Sequence, residues 1–460
     1  MSYCTWKSYP YPADVRNIFS VLRCERHCFF LDSSLTGAGS CGRYSFLGID
    51  PFRVIPACSV ADLGEIGRLI AQYRIKPATR LIPFWGGAVG CLSYEAGAWY
   101  EPHLRIRREN EQGIPQAWFG LYNTVVVLDH QRHCLHIVTH GAPETNKSPA
   151  VALCKKNMQR MEKLLARAET ARRDSRMPSR GEGPIRLEAN FSRERYMRAV
   201  KRAKEYIGAG DIYQVNLSQR FSGRTSCDAY SLYCQLREVS PSAFGGYLDA
   251  GTFQLISSSP ERFLKLSGRK ISTRPMKGTR PRGRFPKEDA RLARELSSSA
   301  KDRAELTMIV DLERNDLGRG CDYGSVSVPV LRELEQYETV YQTTATIEGR
   351  LRRNAGVFDL LRACFPGGSI TGCPKLRAME VIDELEPDSR GLYTGCLGYV
   401  SFCGNMDTSI LIRTLIKQGE RISFGVGGGI VADSDPAAEY EETLVKARGL
   451  MKALAHDSIS

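Results

Sequence analysis

The chain has 460 residues, a formal net charge of +13, 42% hydrophobic residues and 25% charged residues. This balance is typical of a globular protein with a full core, in one large domain or two to three ordinary ones. No apolar run is long enough to span a membrane, and the first residues have no signal-peptide core. We therefore expect a cytoplasmic protein without membrane contacts, whose 15 cysteines are reduced thiols.

A segment of small, polar and basic residues at 166–183 carries part of the excess positive charge. Such a segment has little apolar surface to bury and is typical of a solvated linker. It predicts an N-terminal region over 1–165, a basic linker over 166–186 and a second region over 187–455. Because part of the charge lies in the linker, we expect no nucleic-acid function, and a small acidic substrate is compatible with the charge.

The N-terminal region shows short strand-like runs, and a helical pattern leads into the linker. The runs are RYSFLGI (43–49), FWGGAVGCLSYE (84–95) and NTVVVLD (123–129). After the linker, helices and strands mix without the regular alternation of a parallel α/β fold. Ser192 is the predicted N-cap of the first helix there.

Two absences restrict the chemistry. Between His140 and His456 the chain has no histidine, so catalysis in the second region falls to carboxylates, lysine, tyrosine or water. Cys41 lacks the second glycine of a G-x-C-x-G elbow, so the chain shows no glutaminase nucleophile motif of that kind.

A lysine with two arginine neighbours is the most unusual local feature. Lys277 lies in TRPMKGTR between Arg274 and Arg280. Three close positive charges disfavour the ammonium form of the lysine unless an anion offsets them. This pattern predicts either an anion site or a reactive amine.

The preceding residues predict a hairpin that brings a carboxylate to this lysine. A two-residue turn at Ser267-Gly268 would place Glu261 opposite Arg274. Glu261 and Lys277 would then emerge at the same end of the hairpin, where they could exchange a proton. A surface salt bridge is the structural alternative.

Two helices offer carboxylates on their inner faces. Glu305 shares helical spacing with the apolar residues that follow it, and Glu439, Glu442 and Lys446 fall on one face of a helix that Asp435 is predicted to cap. Oxygen ligands without cysteine or histidine suit Mg²⁺, which takes one or two carboxylates plus waters and substrate oxygens. Solvated charged faces are the alternative.

Two glycine-rich stretches, FPGGSITGCPK (365–375) and FGVGGGIVADS (424–434), could bring backbone N–H groups close to an anion. Arg413 in ILIRTLI is predicted to lie within an apolar strand, where a buried cation needs an anionic partner. Tight turns alone would also explain the glycines.

Taken together, these stretches resemble the chorismate-utilising enzymes over residues 187–455. The motifs are GDIYQVNLSQRF, SSSPERF, RPMKGTRPRG, SAKDRAELTMIVDLERNDLG, FPGGSITGCPK, GYVSFCGNMDTSILIRT and GGGIVADSDPAAEYEET. LDSS, GRYSFLGIDPF and GGAVGCLSYE extend the resemblance before the linker. The resemblance implies an α+β fold, with an antiparallel β-sandwich core flanked by helices.

The resemblance also assigns roles residue by residue. Glu305 and Glu442 are implied to hold Mg²⁺, with Glu439 nearby, and the metal is implied to bind the ring carboxylate of chorismate. Glu261 is implied to be the general acid/base. The residues implied to bind the rest of the substrate, chiefly its enolpyruvyl carboxylate, are Arg413, Tyr393, Gly427, Gly428, Thr371 and Lys375.

Single residues separate the sister reactions within the family. Anthranilate synthases usually have alanine where Lys277 stands, and isochorismate and salicylate synthases usually have lysine where Gln214 stands. Gln214, Lys277 and Asn216 together match the branch that makes 4-amino-4-deoxychorismate on the route to p-aminobenzoate and folate. Gln342 stands where many relatives have a histidine, which in anthranilate synthases is associated with pyruvate elimination.

The resemblance therefore implies amination of chorismate at C4 through a covalent bond to Lys277. Because no glutaminase motif is present, a separate glutaminase subunit is implied as the source of ammonia. The alternatives are the anthranilate-forming branch and a non-catalytic binding subunit of the same family. LDSS (31–34) matches the position of the family's tryptophan pocket, and an empty or purely structural pocket is equally allowed.

Overall fold

The structure, a computed structural model, describes residues 3–35, 41–101, 103–104, 106, 112–170, 185–337 and 340–454. The α-helices in this part of the chain are α1 (Val15–Leu22), α2 (Val60–Gln72), α3 (Lys147–Thr170), α4 (Arg193–Gly208), α5 (Ala229–Val239), α6 (Pro286–Ser298), α7 (Ala300–Gly320), α8 (Val357–Cys364), α9 (Lys375–Leu385) and α10 (Pro436–Ala453). Short 3₁₀ helices cover Tyr94–Tyr100 and Gly368–Ile370.

The strands that the structure describes are β1 (Cys4–Pro10), β2 (Phe29–Asp32), β3 (Tyr44–Gly48), β4 (Arg53–Ala57), β5 (Gly87–Leu92), β6 (Ala117–Tyr122), β7 (Thr124–Asp129), β8 (Cys134–His140), β9 (Leu187–Ala189), β10 (Gln214–Arg224), β11 (Phe244–Asp249), β12 (Gln254–Ser259), β13 (Arg262–Ser267), β14 (Lys270–Arg274), β15 (Met276–Pro281), β16 (Ser327–Gln336), β17 (Val340–Arg350), β18 (Gly372–Cys373), β19 (Cys396–Ser401), β20 (Met406–Ile410), β21 (Thr414–Gln418) and β22 (Arg421–Ile430). The strand runs predicted at 43–49, 84–95 and 123–129 are thus confirmed as β3, β5 and β7.

The described strands form two antiparallel sheets. In the first sheet the order is β1-β8-β7-β3-β2-β11-β12-β21-β22-β10-β18, with β9 also paired to β10. In the second the order is β15-β17-β14-β13-β20-β19-β5-β6-β4, with β16 also paired to β17. Each sheet takes strands from both sides of the predicted linker: β2 pairs with β11 in the first, and β5 pairs with β19 in the second.

The two sheets share one apolar core. Phe46 of the first sheet packs edge-on against Tyr399 of the second, with 5.1 Å between ring centroids, and Phe84 stacks on the same tyrosine at 4.4 Å. Facing sheets whose inner side chains interdigitate form a β-sandwich. The predicted α+β fold with an antiparallel sandwich flanked by helices is confirmed.

Local signals locate several helix ends correctly. Ser192 caps α4 by accepting a hydrogen bond from the backbone N–H of Arg195, and Asp435 caps α10 ahead of Pro436. Helix α3 continues to Thr170, so residues 166–170 of the predicted linker are helical. Residues 171–184 of that linker lie outside the described residues.

The hairpin that precedes the lysine has a different register from the predicted one. Ser267 pairs with Lys270, so the turn residues are Gly268 and Arg269 rather than Ser267 and Gly268. Gly268 has a φ of 62°, which suits glycine at the first central position of a tight hairpin turn. A bulge in β13 then places Arg262, and not Glu261, opposite Arg274.

Within the described residues, no helix combines the length and apolar character needed to cross a membrane.

Candidate active site

Lys277 lies where an end of the second sheet approaches the first. Its strand β15 pairs with β17, with Lys277 opposite Thr343, and the ladder shifts at Gly278, whose φ is 77°. The amine reaches strand β22 of the first sheet: a β-carbon built on Gly429 would lie 3.7 Å from Lys277 Nζ. The amine thus faces a strand whose glycine leaves the space open.

The arginines on either side of Lys277 do not leave it in an uncompensated positive field. Arg274 is paired with Glu335 and Glu333, and Arg280 with Glu295 at 2.9 Å. The interpretation that the charges of Arg274 and Arg280 disfavour the ammonium form of Lys277 is therefore wrong, because glutamates neutralise both arginines. Residues adjacent in sequence find their own partners on neighbouring elements, and sequence proximity does not show this.

The charges that interact with Lys277 are carboxylates from three different elements. Its positive charge favours the ionised forms of Glu261, Glu305 and Glu442. Glu261 is buried, and Ser369 donates a hydrogen bond to it at 2.6 Å. Burial outweighs both the serine and the lysine and raises the pKa of Glu261 to about 7, close to the value that suits a general acid/base at neutral pH.

Helices α7 and α10 bring the other carboxylates together. Burial raises the pKa of Glu305, and the charge of Glu442 adds to this effect. Burial likewise raises the pKa of Glu439, although Ser434 donates to it at 2.7 Å. For Glu442, burial opposes ionisation, but the neighbouring lysines, chiefly Lys446 at 2.8 Å, together outweigh it and the net pKa is lowered. The predicted acidic residues of two helices therefore share one site.

This acidic group fits a magnesium ion held partly by substrate and water. In the part of the chain that the structure describes, no three acidic, cysteine or histidine side chains form a complete metal cage. Mg²⁺ does not require one, because one or two carboxylates with waters and substrate oxygens satisfy it. A β-carbon on Gly428 would lie 3.1 Å from Glu439 Oε2 and 3.7 Å from Glu442 Oε1, so the glycine keeps the space beside them clear.

Arg413 is the cation that the resemblance implies for the enolpyruvyl carboxylate. It does not lie within a strand as predicted: it lies between β20 and β21, with a φ of 49°, where the chain passes from one sheet to the other. Burial lowers the pKa of its guanidinium group. No hydrogen bond or ion pair to that group comes from the described residues, so the cation is left for an anionic ligand.

The glycine strand β22 has an open edge beside these groups. Strand β21 pairs with β22 only as far as Ser423, whereas β10 follows it to Ile430. Lys446 Nζ donates to the Gly427 carbonyl at 2.8 Å, so the backbone of Gly427 faces away from β10. By the alternation of an antiparallel ladder, the N–H of Gly428 points to β10, and those of Gly427 and Gly429 point to the open edge.

This arrangement modifies one of the implied roles. The N–H groups available to an anion belong to Gly427 and Gly429, and Gly428 contributes space rather than a donor. Gly429 was missed because the resemblance pointed to its two predecessors, although GVGGG contains all three.

Strand β10 presents a buried amide group and a further amide oxygen that have no partner among the described residues. Neither the nitrogen nor the oxygen of the Gln214 side chain has a hydrogen bond among the described residues, and the same holds for Asn216 Oδ1. A β-carbon on Gly429 would lie 2.9 Å from Gln214 Nε2. Buried polar groups are nearly always paired, so these amides indicate that a polar ligand belongs here.

The remaining implied substrate residues differ in their surroundings. Tyr393 is buried and packs against Gly425, where a β-carbon would lie 2.3 Å from the ring. Thr371 is buried and donates to the Gly367 carbonyl at 2.9 Å. Lys375 is not brought into the group, because its amine is 2.6 Å from Asp316 Oδ2 and 2.8 Å from the Cys364 carbonyl.

Ser369 and Lys301 were not singled out from the sequence. Ser369 lies inside the glycine-rich stretch 365–375, where the sequence analysis considered only the glycines as ligand-binding residues. Lys301 lies one helical turn before Glu305, with 3.9 Å between Nζ and Oε1, a spacing that could have identified it. Gln342, the residue that replaces histidine, is buried on β17 opposite Thr279.

A cavity of about 370 Å³ lies between the sheets at LDSS, away from the active-site residues described above. Asp32 and Arg262 line it, and both are ion-paired: Arg237 Nε is 2.7 Å from Asp32 Oδ2, and Arg262 Nε is 3.0 Å from Asp407 Oδ1. We call it the N-terminal cavity.

Fold and site together define a family. The chain belongs to the chorismate binding enzyme family, whose model matches residues 43–452. It is a chorismate-utilising enzyme of the aminodeoxychorismate synthase or anthranilate synthase component I type.

Named relatives fall into both types. The chain is 41% identical to aminodeoxychorismate synthase component 1 of Escherichia coli K12, over 81% of this chain and 78% of the relative. It is 37% identical to anthranilate synthase component 1 of Synechocystis, over 92% and 90%. Among solved structures, anthranilate synthase component I of Streptococcus pneumoniae matches with a TM-score of 0.78 and 31% identity, over 89% of this chain and 92% of that one.

Proposed function

We propose that this enzyme combines chorismate with ammonia to form 4-amino-4-deoxychorismate, on the route to p-aminobenzoate and folate. The observation that carries this choice is the Lys277 amine beside the unpaired Gln214 amide at Gly429. An amine at this position offers a nucleophile for chorismate. An amide beside it, where sister enzymes that add water usually have lysine, does not activate water as a base would.

In the proposed reaction, Lys277 Nζ forms a bond to C2 of chorismate as the 4-hydroxyl group leaves with a proton. Ammonia then bonds to C4 and the C2–Nζ bond breaks, which returns the lysine. Glu261 takes the proton of the Lys277 ammonium group and gives it to the departing hydroxyl. Its pKa of about 7 suits both transfers.

The two carboxylates of the substrate match the two charged ends of the site. Arg413 and the N–H groups at the open edge of β22 would bind the enolpyruvyl carboxylate, with Tyr393 against it. Glu305 and Glu442, with Glu439 nearby, would hold Mg²⁺, which when bound supplies positive charge for the ring carboxylate. Lys301 and Lys446 would balance the acidic residues around it.

A separate glutaminase subunit is the proposed source of ammonia. Relatives of both types carry the name component 1, which favours a second component. The purified chain is expected to turn over chorismate with ammonium salts and not with glutamine. Glutamine-dependent turnover by the chain alone would contradict this part of the proposal.

The test is product identification by mass spectrometry after incubation with chorismate, Mg²⁺ and ammonium. The 4-amino product is expected with its enolpyruvyl group retained, consistent with Gln342 in place of histidine. Anthranilate would instead support the second candidate, which the similarity to the Synechocystis relative favours. No turnover by any source of ammonia would support a binding subunit.

The covalent step has its own test. Without ammonia, peptide mapping should find a chorismate-derived adduct on Lys277. Lys277→Ala should lose the adduct and make the 4-amino product about a hundredfold more slowly, or divert amination to C2. Formation of the 4-amino product at the parent rate by Lys277→Ala would exclude the covalent role.

A further inference from the structure

Helix α7 carries a buried acid that the proposed reaction does not use. Glu313 is 7% exposed and lies two helical turns beyond Glu305, against the hairpin β13–β14 that leads to Lys277. It is not among the implied metal ligands. An ionised carboxylate in such a place costs several kcal/mol unless a cation pairs with it.

The hydrogen bonds around Glu313 indicate that it carries a proton. The hydroxyl oxygen of Thr273 is 2.6 Å from the Phe263 carbonyl oxygen and 2.8 Å from Glu313 Oε2. A threonine hydroxyl has one proton to donate, and a carbonyl can only accept. Thr273 can satisfy both contacts only if its proton goes to the nearer Phe263 carbonyl, in the β13 bulge, while a protonated Glu313 donates to the threonine oxygen.

The charged groups facing Glu313 do not offset a negative charge on it. Glu261 faces it from the segment before β13, Asp316 from the same helix, and Lys375 from α9. The amine of Lys375 is already bound to Asp316 at 2.6 Å. Burial first, and then the charge of Glu261, raise the pKa of Glu313 to about 8.

We propose that Glu313 is a positioning residue for Glu261: it stays protonated while Glu261 ionises, and its neutral carboxyl group anchors the hairpin through Thr273. The inference rests on the proposed role of Glu261 as the acid/base. With Glu313 neutral, this pair of buried carboxyl groups carries a single negative charge. Ionisation of Glu313 would add a second charge and remove the bond to Thr273.

Infrared titration of the carboxylic acid band tests the proposal without catalysis. The parent should show two deprotonation steps from the coupled pair near neutral pH, beside the step of Glu95, whose pKa burial raises to about 7. Glu313→Gln should remove the step at higher pH. Glu261→Gln should move the Glu313 step to lower pH, because the charge that raises it is gone. Asp311→Asn, an exposed acid of the same helix, is the matched control and should keep both steps.

Kinetics separate positioning from mere folding. At constant free ammonia, Glu313→Gln should keep kcat within about twofold of the parent at pH 7, since the amide can still donate to Thr273. The parent should lose rate as Glu313 ionises above pH 8, and Glu313→Gln should not. Glu313→Leu, which cannot bind Thr273, should lower kcat about tenfold at unchanged KM.

The proposal is overturned if the Glu313 band disappears below pH 6, or if Glu313→Gln shows the same alkaline decline as the parent. If Glu313→Leu does not fold, the infrared titration and Glu313→Gln decide the matter. Absence of any chorismate turnover by the parent would refute the proposed function alone, because the infrared result does not depend on it.

Discussion

The N-terminal cavity and the candidate active site differ in whether their charged groups are paired. In the cavity, arginines and carboxylates satisfy one another, as in the pairs Arg237–Asp32 and Arg262–Asp407. In the active site, Arg413 and the amide of Gln214 have no partner among the described residues. Pairing makes the first region complete by itself. The second is incomplete without a ligand, which is the state expected of a site built to bind a dianion.

The largest effect should come from removing the acidic half of the active site. Glu305→Gln or Glu442→Gln should lower kcat by about a thousandfold while the fold persists, because the proposed Mg²⁺ would lose a charged ligand. Calorimetric titration with Mg²⁺ should show weaker binding in both variants, and EDTA should inhibit the parent reversibly. Glu441→Gln, an exposed acid beside Glu442, is the matched control. Full turnover in EDTA would refute the role of the metal.

Replacing one arginine in each region should give opposite results for stability. Arg413→Met removes a half-buried cation that has no partner among the described residues, so the free energy of unfolding should rise by about 1 kcal/mol while kcat/KM falls about a hundredfold. Arg262→Met leaves the carboxylate of Asp407 without its ion-pair partner and should destabilise the protein by about 3 kcal/mol. Denaturant unfolding and steady-state kinetics provide both measurements. Loss of stability in Arg413→Met would show that this arginine has an internal partner.

The pH dependence should report Glu261. Productive attack requires that Lys277 and Glu261 share one proton, so the form with both groups protonated is inactive. As the pH falls below the Glu261 pKa of about 7, kcat/KM at constant free ammonia should drop about tenfold per pH unit. Glu261→Gln should abolish this limb along with most activity. A flat profile between pH 5 and pH 7 would contradict the assignment.

The smallest effect concerns Gln214. Neither end of its buried amide has a partner in the described part of the chain, so Gln214→Leu should raise the free energy of unfolding by about 1 kcal/mol. The comparison variant is Gln219→Leu, in which an amide that already donates to Thr443 at 2.6 Å is lost. That variant should be neutral or destabilising. Equal effects would mean that the Gln214 amide is not left free for a ligand.

Local chemistry made much of this predictable from sequence. Ser192 and Asp435 cap helices by bonds within a few residues, and inward carboxylates follow from helical spacing. The resemblance then assembled Glu305, Glu442 and Arg413 into one site, a long-range arrangement that spacing alone could not give.

What failed depends on neighbours distant in sequence. The hairpin register was displaced because a bulge in β13 and the positive φ of Gly268 decide the pairing. The charge around Lys277 was misjudged because Glu335 and Glu295, from other elements, neutralise the adjacent arginines. Lys375 found its partner on α7, more than fifty residues earlier in the chain.

The sharing of both sheets between the two halves of the chain has a consequence for biosynthesis. Strand β5 is buried along its whole length, and one of its edges is closed by β19, whose residues follow about 300 positions later. At a translation rate of about 10 residues per second, roughly half a minute passes before that partner leaves the ribosome. During this interval an apolar strand edge is open to other chains, so we expect the nascent protein to depend on chaperones and to aggregate when its C-terminal strands are truncated.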